Sequence, residues 1–236
     1  MVRLDVFFRR HTMKNVIPQA FVFDMDGTIV STVEDIADSV NYSLKQHGFK
    51  THSYEEMTTY LGNGSVLLIK RALGEENLSR FDEVFNTYYD YYLKNFCVKT
   101  KPYSGLIESL EYAKKKGVLL FIYTNKPHDI AKEVERRCFP EGLFDKLVGI
   151  PLGGVTKPDP EAFFKATEEY HLDYSKVMYF GDSTTDIETA HNLGCSGIYS
   201  VLWGYNTEDQ LKAYPIQPTC YLTKREEIKE VVDGLI

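Results

Sequence analysis

The chain has 236 residues, 43% of them hydrophobic and 26% charged, with a formal net charge of −7. That length suits one large domain or a domain with a substantial insertion, and the acidic balance argues against a nucleic-acid-binding surface. No apolar stretch approaches the roughly 18 residues that a membrane span needs, and four cysteines without CxxC spacing or a histidine cluster read as reduced, mostly buried thiols of a cytoplasmic protein rather than a zinc site.

In chain order, residues 1–15 read as a basic arm. Arg3, Arg9, Arg10 and His11 surround Val6-Phe7-Phe8, an apolar run too short for a signal peptide, and Met13 offers an alternative start. Phe21-Val22-Phe23 then reads as a buried strand that runs into Asp24-Met25-Asp26-Gly27-Thr28. Residues 31–98 read as helical throughout. Val33, Ile36, Ala37, Val40 and Leu44 recur at helical spacing, and Gly48 stops that helix. Further helices are predicted over 54–60 and 66–72, with Leu61-Gly62-Asn63-Gly64 between them. Phe81, Phe85, Tyr88, Tyr92 and Phe96 form an aromatic stripe on the next one. The stripe reads as helix packing; a stacking platform for a ring-bearing substrate is the alternative for Tyr88, Tyr89, Tyr91 and Tyr92.

From Pro102 onward strands alternate with helices. Strands are predicted over 118–123, 147–149, 177–180 and 197–201, and helices over 106–116, 129–138, 160–171, 184–193 and 226–235. That alternation implies right-handed crossovers and a parallel sheet. The expected fold is therefore α/β: a Rossmann-like parallel sheet with helices on both faces, built from residues 16–30 and 99–236. Residues 31–98 form an all-helical insertion after the first strand.

Four polar motifs sit directly after apolar runs: Asp24 to Thr28, Thr124-Asn125-Lys126, Thr156-Lys157-Pro158, and Gly181-Asp182-Ser183 with Asp186. The carboxyl ends of parallel strands share one edge of the sheet, where ligands bind. Residues far apart in sequence should meet there. A lone DxD is weak evidence, but at a strand end before Gly-Thr it is much stronger. Asp24, bound to a metal and ionised, is suited to attack phosphorus. Asp26, if protonated, can serve the leaving oxygen as an acid and later water as a base. Thr124 and the Asn125 amide are either a phosphate cradle or an ordinary helix cap. Asp182 reads as a direct ligand of Mg²⁺, which favours hard oxygen donors. Asp186 is either a ligand or the group that orients Lys157 or a metal-bound water.

Together these motifs resemble those of the haloacid dehalogenase superfamily of phosphotransferases, over nearly the whole chain from about residue 17. Asp24-Met25-Asp26-Gly27-Thr28 matches the first motif, Thr124 the second, Lys157 the third, and Gly181-Asp182-Ser183-Thr184-Thr185-Asp186 the fourth. The resemblance implies nucleophile Asp24, acid/base Asp26, phosphate contacts from Thr124, Asn125 and Lys157, and Mg²⁺ at Asp24, Asp26 through its carbonyl, and Asp182. It also implies that the inserted block is a cap, with Gly62, Asn63 and Gly64 meeting the substrate. Asp35-Ile36, Asn41, the Gly62 loop, Lys126-Pro127 and Val201-Leu202-Trp203-Gly204-Tyr205 look like the phosphoglycolate phosphatase family in particular. Ser31 departs from the acidic residue usual there.

The expected function is Mg²⁺-dependent hydrolysis of a small anionic phosphorylated metabolite, with 2-phosphoglycolate first. A pyrophosphatase, nucleotidase or sugar-phosphate mutase on the same scaffold is the alternative. A phospho-accepting signalling protein and a silent interaction protein stand further off. The sequence leaves the oligomeric state open.

Overall fold

The computed structural model of the protein describes residues 18–151 and 154–236, so the expected basic arm lies outside the described residues. The described chain opens with β1 (Ala20–Phe23), buried at every position. A tight turn leads to β2 (Val30–Ser31) and then to four helices, α1 (Val33–Gln46), α2 (Tyr54–Thr58), α3 (Ser65–Leu73) and α4 (Phe81–Asn95). β3 (Lys101–Pro102) pairs antiparallel with β2, so the helical insertion leaves and rejoins the sheet domain through one two-stranded neck. The chain continues through α5 (Leu106–Lys115), β4 (Leu119–Pro127), α6 (His128–Cys138), β5 (Lys146–Ile150) and α7 (Glu161–Thr167). It ends with β6 (Val177–Gly181), α8 (Thr184–Leu193), β7 (Gly197–Val201), α9 (Glu208–Lys212), β8 (Cys220–Leu222) and α10 (Glu227–Val232).

The main sheet has the order β5-β4-β1-β6-β7-β8, and every pairing in it is parallel. From β1 the chain builds outward through β4 to β5, then crosses to β6 on the other side of β1. That reversal opens a crevice beyond the carboxyl ends of the central strands. Alternate residues of β1 serve two cores, as strands covered on both faces must. Phe21 and Phe23 pack with Phe180 and Leu120, while Ala20 and Val22 pack with Phe121, Tyr179 and Phe163.

The neck is held by polar groups placed for that purpose. Asp35, buried in the first turn of α1, accepts the backbone N–H groups of Val98 at 3.0 Å and Thr100 at 2.8 Å, and the Thr100 hydroxyl at 2.8 Å. Thr32 caps α1 without a side-chain bond. The Tyr205 hydroxyl instead accepts the N–H groups of Thr32 at 2.7 Å and Val33 at 3.0 Å, satisfying donors that a helix start leaves over.

The predicted α/β architecture is present, with four differences in detail. Ser31 belongs to the short β2 rather than to the helical block. β3, β8 and α9, of two, three and five residues, were not predicted. β4 runs on through Asn125 and Lys126 to Pro127 after a register shift, a feature set by pairing with β5. The four cysteines are half-buried rather than mostly buried; Cys97 follows α4 and Cys138 ends α6, with their sulfurs 3.9 Å apart. Among the described residues no helix is long and apolar enough to cross a membrane.

Candidate active site

Asp24 leaves the end of β1 with its N–H bonded to the Phe180 carbonyl at 2.9 Å, which fixes the carboxylate at the mouth of the crevice. Lys157 comes from the loop after β5. Its Nζ reaches Asp24 Oδ1 at 2.6 Å, Asp186 Oδ1 at 2.7 Å and the Tyr179 hydroxyl at 3.2 Å. The lysine is 4% exposed, so it is no solvated surface cation. Asp182 stands at the end of β6. Its Oδ2 accepts the Tyr205 N–H at 2.6 Å, and its Oδ1 faces the Thr28 hydroxyl at 3.4 Å. Gly27, at φ +91°, and Gly204 press against that carboxylate, and a Cβ at either would strike Asp182.

Carboxylate oxygens of Asp24, Asp182 and Asp186 lie within 4.8 Å of one another, all three residues buried. Among the described residues one ammonium, that of Lys157, faces this group, so with all three carboxylates ionised the cluster would carry excess negative charge in a poorly solvated place. An all-oxygen set of this kind fits a small hard divalent cation such as Mg²⁺. Asp186 is the most fully engaged of the three. Its Oδ1 takes Lys157 and Tyr179, and its Oδ2 takes the Ser183 hydroxyl at 2.5 Å and the Ser183 N–H at 3.1 Å in a capping box on α8. These bonds join Asp186 to Lys157, to Tyr179 and to the start of α8.

Burial pushes the Asp24 carboxyl up to about 7, with the Lys157 ammonium opposing it and Asp186 and Asp26 adding to it. Burial, then Asp186 and Asp24, likewise hold Asp182 well above the usual carboxylate range. For Lys157 burial pulls downward, but Asp186 and Asp24 outweigh it and hold the ammonium well above its ordinary range. A carboxyl whose folded value exceeds its unfolded one adds no cost while both states are protonated. The cost grows as pH rises from its ordinary 3.8 towards about 7 and is constant above that. Thermal melting of the metal-free protein should therefore rise as pH is lowered from about 8 to about 6. Saturating Mg²⁺ should raise the melting temperature most at the higher pH, where protons compete least. A melting temperature independent of both pH and Mg²⁺ would contradict the buried cluster.

Asp26 lies on the other side of the crevice. Its Oδ2 pairs with Lys126 Nζ at 2.9 Å, and its Oδ1 is buried with no hydrogen-bond partner among the described residues. Lys126 Nζ also donates to the Tyr92 hydroxyl at 2.9 Å, which links β4 to helix α4 of the insertion. Thr124 is buried at the crevice, and its hydroxyl accepts the Lys126 N–H at 3.2 Å. Asn125 binds across the insertion boundary: Nδ2 donates to the Gly62 carbonyl at 3.2 Å, and Oδ1 accepts the Lys157 N–H at 2.7 Å. Gly62 and Gly64 wall the same cavity as Asp24, Asp26 and Thr124. Asn63 does not join them. Its amide bonds Thr185 at 2.9 Å and Arg71 at 2.8 Å, which pins the loop to α8.

The structure thus gathers Asp24, Asp26, Thr124, Asn125, Lys157, Asp182, Asp186, Gly62 and Gly64 at one crevice. The helix-cap alternative for Thr124 fails, because Thr124 lies within β4 and α6 starts from Pro127 without a side-chain cap. Sequence reasoning gave no role to Lys126, Tyr205 or Trp203. Lys126 lies past the predicted strand, in the polar run Thr124-Asn125-Lys126, and only the pairing of β4 with β5 carries the strand through it. Trp203 Nε1 donates to the Thr28 carbonyl at 3.0 Å, so the Trp203-Gly204-Tyr205 loop clasps the first motif, Asp182 and α1 together. The packing assigned to the aromatic stripe is present, with Tyr88 and Tyr92 stacked at 5.5 Å, yet both also wall the cavity.

The family model for haloacid dehalogenase-like hydrolases matches residues 21–199, from β1 to the middle of β7. The chain belongs to the haloacid dehalogenase-like hydrolases. This hydrolase is 32% identical to a phosphoglycolate phosphatase of Aquifex aeolicus over 79% of its own length and 86% of the relative's. It is also 32% identical to one of Haemophilus influenzae over 78% and 85%. A crystal structure from Lactobacillus delbrueckii subsp. bulgaricus, provisionally described as a phosphoglycolate phosphatase, superposes with a TM-score of 0.86 at 26% identity, covering 92% of this chain and 99% of that one. The hydrolase is an enzyme of the phosphatase kind, acting on a small phosphorylated substrate.

Proposed function

We propose that this hydrolase removes phosphate from 2-phosphoglycolate through a phosphorylated Asp24, in the cytoplasm and with Mg²⁺ bound. The observation that carries the reading is the convergence of Asp24, Asp182, Asp186 and Lys157 in one buried cluster, with Asp26 across the same crevice. Asp24 and Asp182 would hold the metal, with the Asp26 carbonyl as the further ligand implied by the family resemblance. Mg²⁺ bound there would offset the charge on the phosphoryl oxygens and keep Asp24 ionised.

A carboxylate oxygen of Asp24 attacks phosphorus as the ester P–O bond breaks. Asp26 donates its proton to the departing oxygen, which leaves as a hydroxy acid. Asp26 then takes a proton from water, whose oxygen attacks the phosphorus of the aspartyl-phosphate. The bond from phosphorus to Asp24 breaks, inorganic phosphate leaves, and the carboxylate is restored. Lys157 neutralises phosphoryl charge and holds Asp24 in place, while Asp186 and Tyr179 hold Lys157. The Thr124 hydroxyl and the Asn125 N–H would receive non-bridging oxygens. Residues 31–98 act as the cap over a core of 16–30 and 99–236. The contacts from Asn125 to Gly62 and from Lys126 to Tyr92 are the points at which the cap meets the core.

Phosphate release from 2-phosphoglycolate, pyrophosphate, β-glucose 1-phosphate and nucleoside monophosphates tests the substrate. The reading expects Mg²⁺-dependent release with 2-phosphoglycolate preferred, and preference for another member of the panel overturns it. Asp26→Asn tests the acid. It should slow esters with poor leaving groups by about 10²–10⁴-fold and aryl phosphates with good leaving groups far less. Equal loss on both would remove Asp26 from proton transfer.

A further inference from the structure

Lys126 is buried, yet the mechanism above does not use it. Its Nζ lies 2.9 Å from Asp26 Oδ2 and donates to the Tyr92 hydroxyl at 2.9 Å. An ammonium has three N–H donors, and these contacts take two. Burying a lysine on a strand is costly without a use for its charge. Among the described residues lining the cavity, Lys126 is the sole cation; the walls beside it are Leu61, Leu68, Tyr88 and Tyr92.

The place of the ammonium says what it can bind. A general acid must reach the oxygen that leaves phosphorus. Whatever adjoins Asp26 on the cap side therefore adjoins the leaving group, not the phosphoryl oxygens, which Lys157 serves from the opposite side. A second negative charge two atoms beyond the ester oxygen would fall against Lys126. The stacked rings of Tyr88 and Tyr92 line the same cavity beside Lys126.

We propose that Lys126, steadied by the Tyr92 hydroxyl and Asp26, is the specificity-determining residue that anchors a carboxylate on the leaving group, so that the site selects phosphate esters of short hydroxy acids. The assignment rests on the phosphatase reading and on Asp26 as the acid. It also makes the cap contact part of recognition, because the carboxylate reaches Lys126 only where Tyr92 holds it.

The test compares kcat/KM of the Mg²⁺-loaded enzyme for 2-phosphoglycolate and for 2-hydroxyethyl phosphate, which has the same ester but no carboxylate. Lys126→Met will slow both substrates in common through Asp26, and that part cancels in the ratio. The wild-type ratio should favour 2-phosphoglycolate, and Lys126→Met should lower it by at least about tenfold. Tyr92→Phe, which keeps the ring and the fold, should lower the same ratio by a few-fold and decides the matter if Lys126→Met does not fold. A wild-type preference that survives in the folded variants overturns the assignment of Lys126 and leaves the substrate reading intact. A wild type without preference overturns both.

Discussion

Asp24→Asn will abolish turnover and, in the absence of divalent metal, make the protein more stable. The two effects have one cause. The carboxylate is the proposed nucleophile, and an amide oxygen attacks phosphorus poorly, so phosphate release should fall by at least about 10⁴-fold. The same carboxylate is buried against Asp182 and Asp186, and burial is what pushes it up to about 7. Replacing it with a neutral group of equal shape removes one like charge from the cluster. At pH 8 without metal the variant should gain on the order of 2 kcal/mol. With Mg²⁺ the order should reverse, because the wild type binds the ion more tightly. Melting curves of both proteins with and without Mg²⁺ at pH 8 check this. A variant less stable than wild type without metal would mean that the Lys157 contact outweighs the carboxylate repulsion.

Lys157→Met is the second large effect, and its direction is opposite. The ammonium touches Asp24, Asp186 and the Tyr179 hydroxyl, and among the described residues it is the one cation bonded to the Asp24–Asp186 pair. Its loss leaves two buried carboxylates facing each other. Breaking a buried pair from one side costs about 3–5 kcal/mol. Activity should disappear as well, because Asp24 loses the charge that keeps it ionised and in place. Lys157→Arg should not restore activity, since a planar guanidinium is larger and cannot sit between Asp24 Oδ1 and Asp186 Oδ1 as a point charge does. Chemical denaturation and phosphate release on the same samples read both losses. A Lys157→Met protein with wild-type stability would show that the cluster is already neutral in the free enzyme.

The sheet domain was legible because its strands are short apolar runs ending in polar residues. Phe21-Val22-Phe23 and the strand 177–180 declare both their type and their ends. The same ends carry Asp24 and Asp182, with Asp186 in the first turn of the helix that follows, so the acidic half of the site followed from the fold class. Lys157 needed the family resemblance, because a lysine between two prolines and a threonine looks like any surface loop. What stayed hidden is what long-range contact decides. The Asp35 carboxylate binds a turn more than sixty residues away, and Tyr205 reaches back to cap α1. Lys126 read as part of the polar run after the strand 118–123, and its partners Asp26 and Tyr92 come from other elements. Asn63 shows the converse. Its neighbours meet the cavity, and its own amide serves the loop's attachment to α8.

The central claim is that phosphate passes through Asp24 before it reaches water. The stereochemical course at phosphorus tests it most directly, using an isotopically chiral phosphorothioate analogue of 2-phosphoglycolate and isotopically labelled water. Two successive in-line displacements, at Asp24 and then at the aspartyl-phosphate, predict overall retention of configuration. Inversion would mean a single direct attack by water, and Asp24 would then be a metal ligand and not the nucleophile.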